Sequence, residues 1–249
     1  MQFPTSLLAR SALSIAALLG AAATQAQTTP DGQWHGGISI GGAFSAGNTS
    51  SQTVAGAADA VRETRADKIS LYGLANYAKS KSAGVSTTTA NQLRGGGRYD
   101  FNLTDRVFLF GGAETETNKA GGLKSRYAVN GGAGYKVVRS ATTSFDVFAG
   151  IGYSGVKFTS GDDANGAQLL LGEESSHKLS ASTTFKQRFV FYPGQGDLGN
   201  LATFDAGLAT AIAGGWTLNT GLAARYASKT PVGVKSTDTL FTVGFGYKY

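Results

Sequence analysis

Thr242-Val243-Gly244-Phe245-Gly246-Tyr247-Lys248-Tyr249, the last eight residues, decide how the rest of the chain is read. From Thr239 onward every second side chain (Thr239, Phe241, Val243, Phe245, Tyr247, Tyr249) builds an apolar and aromatic face. Asp238, Thr242, Gly244, Gly246 and Lys248 make the opposite, polar one. A repeat of two is the signature of a strand whose two faces meet different surroundings.

A polar residue at 242, glycine at 244 and aromatics at 247 and 249 resemble the terminal signal strand of bacterial outer-membrane β-barrels. On that resemblance Gly244, Tyr247 and Tyr249 form an assembly signal. Working back from it, the same alternation predicts twelve strands, at about 34–45, 52–64, 68–80, 88–100, 106–117, 124–138, 142–158, 167–178, 183–193, 202–213, 216–227 and 237–249. Sidedness is clean in 124–138, where Tyr127, Val129, Gly131, Ala133, Tyr135 and Val137 oppose Lys124, Arg126, Asn130 and Lys136. In the second, third and eighth strands it is weaker. Connections after even strands are short, and those after odd strands are longer and polar, notably 80–88, 159–167, 193–202 and 227–237. Short turns on one rim and long loops on the other fit an antiparallel up-and-down transmembrane β-barrel with both termini in the periplasm.

The amino terminus agrees with export. Arg10, an apolar run from Ser11 to Ala23, and Thr24-Gln25-Ala26 have the order of a secretory signal peptide, predicted to occupy 1–26 and to leave 27–249 as the barrel domain. The run is too short to cross a bilayer as a helix, which takes roughly 20 residues. Gly and polar residues interrupt every later apolar stretch, so a membrane-spanning mature chain must close into a barrel. Thirty-six Gly and four Pro among 249 residues suit long, closely approaching strands. The absence of cysteine excludes disulfides and thiolate metal sites.

The formal charge of +6 falls to +5 with the loss of Arg10. Its basic residues are scattered singly, without a basic helix or aromatic platform, so no nucleic-acid partner is expected. An Arg or Lys on the lipid face at the bilayer midplane costs about 2 to 4 kcal/mol. Arg94, Arg98, Arg126, Lys136, Arg188 and Arg225 are therefore assigned to the lumen, with Glu114, Glu116 and Asp100 as their partners. Two outcomes follow: an anion-preferring passage, or an interior filled by its own charge pairs. Twelve strands lie between barrels that side chains fill and those that hold a water channel.

Further motifs carry the chain toward one family. Ser45-Ala46-Gly47-Asn48-Thr49, Gly97-Arg98-Tyr99-Asp100, Leu171-Gly172-Glu173-Glu174-Ser175-Ser176-His177-Lys178-Leu179, Thr183-Thr184-Phe185-Lys186-Gln187, Tyr192-Pro193 and Pro231-Val232-Gly233-Val234-Lys235 stand in order over 34–249. In this order and spacing they resemble the YdiY-type family of salt-induced outer-membrane proteins, whose function is unknown. The resemblance implies a single-chain barrel in a Gram-negative outer membrane, induced by osmotic or acid stress, with no catalytic, cofactor or metal residues to transfer. Its expected surroundings are outer-membrane lipid and lipopolysaccharide, reached through the secretion and barrel-assembly machinery; its ligand is unknown.

Two groupings in the sequence invite an enzyme-like or metal-like reading. Ser175 and His177 share a strand face, but no orienting carboxylate or oxyanion donor is identifiable beside them. Asp162, Asp163 and Asn165 between Gly161 and Gly166 lack the ligand spacing of a calcium loop and read as a turn. The expectation is a non-enzymatic barrel without cofactor, in envelope maintenance or stress response and at most a narrow pore. The alternatives are a channel for small solutes or ions, a soluble periplasmic β-sandwich or lipocalin-like binding protein, and a membrane hydrolase.

Overall fold

The computed structural model describes residues 30–45, 49–82, 85–161, 163–194, 198–229 and 236–248. The stretch assigned to a signal peptide, Asp162 and Tyr249 lie outside these residues. Twelve antiparallel strands form one closed barrel, each strand pairing with its sequence neighbours and the first with the last. They are β1 (Trp34–Ser45), β2 (Thr49–Glu63), β3 (Asp67–Ser82), β4 (Val85–Asn102), β5 (Val107–Asn118), β6 (Leu123–Arg139), β7 (Thr143–Phe158), β8 (Asp163–Lys178), β9 (Thr183–Tyr192), β10 (Leu201–Ala213), β11 (Trp216–Ala227) and β12 (Thr237–Lys248). Closure is what lets a sheet with an apolar exterior keep its backbone groups paired.

The outer wall carries the apolar alternation. Ile38, Ile40, Leu93, Ile151, Leu169, Leu171, Phe241 and Phe245 are all more than half exposed there. Tyr99, Tyr135, Trp216 and Tyr247 stand near one rim, where amphipathic rings suit a membrane–water boundary. In β12, Phe241, Val243, Phe245 and Tyr247 project outward and Gly244 and Gly246 are buried, so the terminal strand has the two faces its sequence predicts.

Four even-strand connections span three or four residues, 64–66, 103–106, 140–142 and 179–182. The fifth is the two-residue Gly214-Gly215 turn. Both glycines have positive φ, 56° and 85°, the backbone that a two-residue hairpin needs to match strand twist. The other rim corrects the sequence expectation. The segments 80–88 and 159–167 are mostly strand: β3 runs to Ser82, β4 starts at Val85, β7 runs to Phe158 and β8 starts at Asp163. Their Ser, Thr, Asn and Gly content marked them as loop, yet ladder pairing continues along them. Only 193–200 and 228–236 are longer than four residues on this rim.

Candidate functional site

Inside the barrel, strand register alone brings the ionic side chains together. Arg94 of β4 lies opposite Glu116 of β5, and Glu116 opposite Arg126 of β6. Lys136 lies opposite Asp146, Asp146 opposite Glu174, Glu174 opposite Arg188, and Arg188 opposite Asp205. Because side chains alternate faces, these rows all point to the same interior.

Two clusters result. On the loop-bearing side, Glu114 accepts from Arg94 Nη2 at 2.5 Å and from the Tyr72 hydroxyl. Glu116, only 2% exposed, accepts from Gln92 Nε2 at 2.6 Å. Its second partner comes from across the lumen: Arg225 Nη1 lies 3.4 Å from both carboxylate oxygens. Arg225 is on β11 and Glu116 on β5, six strands apart either way round the ring, so this contact spans the barrel between opposite walls.

Nearer the tight turns, Glu174 collects three cations from three strands. Lys68 Nζ is 3.8 Å away, Arg98 Nη1 3.7 Å and Arg188 Nη1 3.6 Å. Arg98 also donates through Nε to Asp100 at 2.5 Å. Its guanidinium carbon sits 4.5 Å from the Phe110 ring centre and 4.8 Å from that of Phe148, within cation–π range. Phe108, Phe110, Phe148, Leu170 and Val190 form a buried apolar cluster on this inner wall. Inward glycines make room for it, since a Cβ at Gly134 would lie 2.1 Å from the Phe108 ring and one at Gly172 would lie 2.5 Å from Phe148. Lys136 bonds Asn102 Oδ1 at 2.8 Å, while Asp146 accepts from Arg139 Nη2 at 2.7 Å.

Chemically, the paired charges of the two clusters offset one another, and removing one member of such a pair is costly. The family model described as "Protein of unknown function, DUF481" matches residues 38–249.

The chain belongs to DUF481.

This is the YdiY-like family toward which the motifs pointed. Among solved structures, the DUF481 barrel is similar to a NanC porin, at 12% identity and TM-score 0.51 over 86% of this chain and 100% of that one. It is also similar to the COG4313 outer membrane channel from Pseudomonas putida F1, at 12% identity and TM-score 0.52 over 88% and 95% of the two chains. At such identity the likeness is one of fold, that of outer-membrane barrels. Among curated proteins none matches the chain in sequence.

Sequence reading assigned nine of this DUF481 protein's charges to the lumen and did not include Glu174, Lys68, Asp146, Asp59, Lys186 or Asp205. Glu174 had a visible signal: in a strand Glu173 and Glu174 take opposite faces, so one of them must point inward. Glu173 is the outward one, accepting from Gln187 Nε2 at 3.0 and 2.9 Å. His177 Nε2 is 3.1 Å from Ser175 Oγ, its Nδ1 is 3.4 Å from Thr143 Oγ1, and its ring stacks on Phe185. Ser175 is 7% exposed, and Glu173 is committed to Gln187 rather than to the imidazole. Asp163 and Asn165 belong to β8, with Asn165 accepting from the Tyr153 hydroxyl at 2.7 Å.

Proposed function

We propose that this protein is a non-enzymatic barrel of the Gram-negative outer membrane whose lumen is held shut by its own ion pairs. It serves the envelope under salt or acid stress instead of passing solutes freely. In this reading it is exported with loss of residues 1–26, folded by the barrel-assembly machinery, and set in lipid and lipopolysaccharide. The Arg225–Glu116 contact carries the reading, because a pair joining opposite walls cannot coexist with a wide open passage. The Glu174 cluster adds a second obstruction below it. A non-enzymatic role is supported by the outward Ser175–His177 pair, which has no carboxylate on the imidazole.

Purified protein refolded into planar bilayers tests this. The wild type is expected to show little or no unitary conductance, and Arg225→Ala combined with Glu174→Ala to show clear steps. A large, stable conductance in the wild type would instead establish the channel reading. Fractionation with heat-modifiable gel migration separately tests the location.

A further inference from the structure

The closing seam is zipped over part of its length. From Gly37 to Ser45, β1 could meet Lys248 to Leu240 of β12 at nine register positions, yet the pairing runs only from Gly37↔Lys248 to Gly41↔Gly244, five of them. Beyond that point β1 remains paired with β2 as far as Ser45↔Ser51, and β12 with β11 as far as Tyr226↔Thr237. Gly42–Ser45 and Leu240–Val243 therefore each present one free backbone edge among the described residues.

The last closed pair sets two glycines opposite each other. A Cβ on Gly41 would lie 2.8 Å from Val243 O, and one on Gly244 would lie 2.6 Å from Ile40 O. Two glycines let the backbones approach closely here, and the pairing ends with them. The parted stretch still lies within the apolar belt, since Ile40, Phe241 and Val243 beside it are 65%, 64% and 43% exposed on the outer wall. Unpaired N–H and C=O groups are costly at that depth. Neither edge carries the lysine, proline or bulge that usually blocks strand addition.

We propose that a second copy of this chain fills the seam. The two free edges are antiparallel and continue a single register, so each is the complement of the other. A two-fold axis along the barrel direction sets β12 of one copy beside β1 of its partner, and β1 beside the partner's β12. All four edges are then satisfied in one isologous contact. The proposal rests on membrane insertion but goes beyond it, to an interaction surface.

Because the chain has no cysteine, disulfide trapping has no background. Two differently tagged chains, one Gly42→Cys and one Val243→Cys, are co-expressed, and only heat-modifiable outer-membrane material is scored. A covalent heterodimer is expected at a yield several-fold above that of Gly42→Cys paired with Leu171→Cys on β8. The wild type is expected to have a dimer's mass in native measurements in detergent and in lipid particles. A yield equal to the control, or a monomeric wild-type mass in both media, overturns the proposal. If no heat-modifiable protein reaches the outer membrane, the location reading fails instead, a result the fractionation reports by itself.

Discussion

At the scale of single residues, Arg98 is the interior's most connected side chain. It joins Asp100 and Glu174 and lies over Phe110 and Phe148. Arg98→Ala would leave Glu174 short of one cation and Phe110 without its own, while Phe148 keeps Arg188, and is expected to lower unfolding stability by about 3 to 5 kcal/mol. Urea unfolding in lipid vesicles measures it. Arg98→Lys should recover part of this loss, since an ammonium restores the charge but not the planar stacking. Gly134 offers a steric counterpart. Gly134→Ala drives a methyl into Phe108 and should cost about 1 to 3 kcal/mol, whereas Gly73→Ala, with nothing within 4 Å of its Cβ, should change stability by less than about 0.5 kcal/mol. Comparable losses at both glycines would contradict this account of the aromatic cluster.

For the elements, β12 separates assembly from stability. Its Tyr247 ring meets Trp216 edge to face at 5.5 Å near the tight-turn rim. A charge on the outer face close to an interface costs only about 0 to 1 kcal/mol. Tyr247→Asp is accordingly expected to unfold at nearly the wild-type urea concentration once refolded in vitro, and to accumulate in cells as periplasmic precursor. Deletion of Tyr249 should act the same way. Normal levels of the folded, heat-modifiable form in the outer-membrane fraction would count against a signal role for this strand. The strands themselves were largely legible: bounds predicted from alternation at β1, β9, β10 and β11 fall within one residue of those observed. The upper parts of β3, β4 and β8 were not legible. Their polar, Gly-rich residues look like loop one at a time, and only pairing with a neighbour makes them strand. The weak patterns in β2, β3 and β8 have a related cause: Val61, Leu74 and Leu170 face the interior, so an inside/outside code based on polarity breaks there.

Taken whole, the barrel is a container whose contents decide its behaviour. Glu116 with Arg225 and Glu174 with its three cations join distant strands, so their removal should matter to permeability as well as stability. Arg225→Ala alone is expected to raise ion leak through refolded protein in liposomes, with a smaller stability loss than Glu116→Gln. Arg225 keeps 30% side-chain exposure, while Glu116 is 2% exposed and its loss leaves Arg94 and Arg126 facing no anion at that position. Equal leak from wild type and variant in a dye-release or ion-flux assay would remove the cross-lumen contact as a closing element.

By itself the sequence determined the strand count, the antiparallel order and the apolar exterior, and pointed six basic residues toward the lumen. All of these follow from a period of two and from the cost of charge in lipid, which are local properties. Only the tertiary structure decided that Arg225 reaches Glu116 across the ring, that Phe108, Phe110 and Phe148 turn inward onto Arg98, and that the β1–β12 seam closes over five pairs. Those depend on curvature and on which walls face one another, and alternation along a strand carries no information about either.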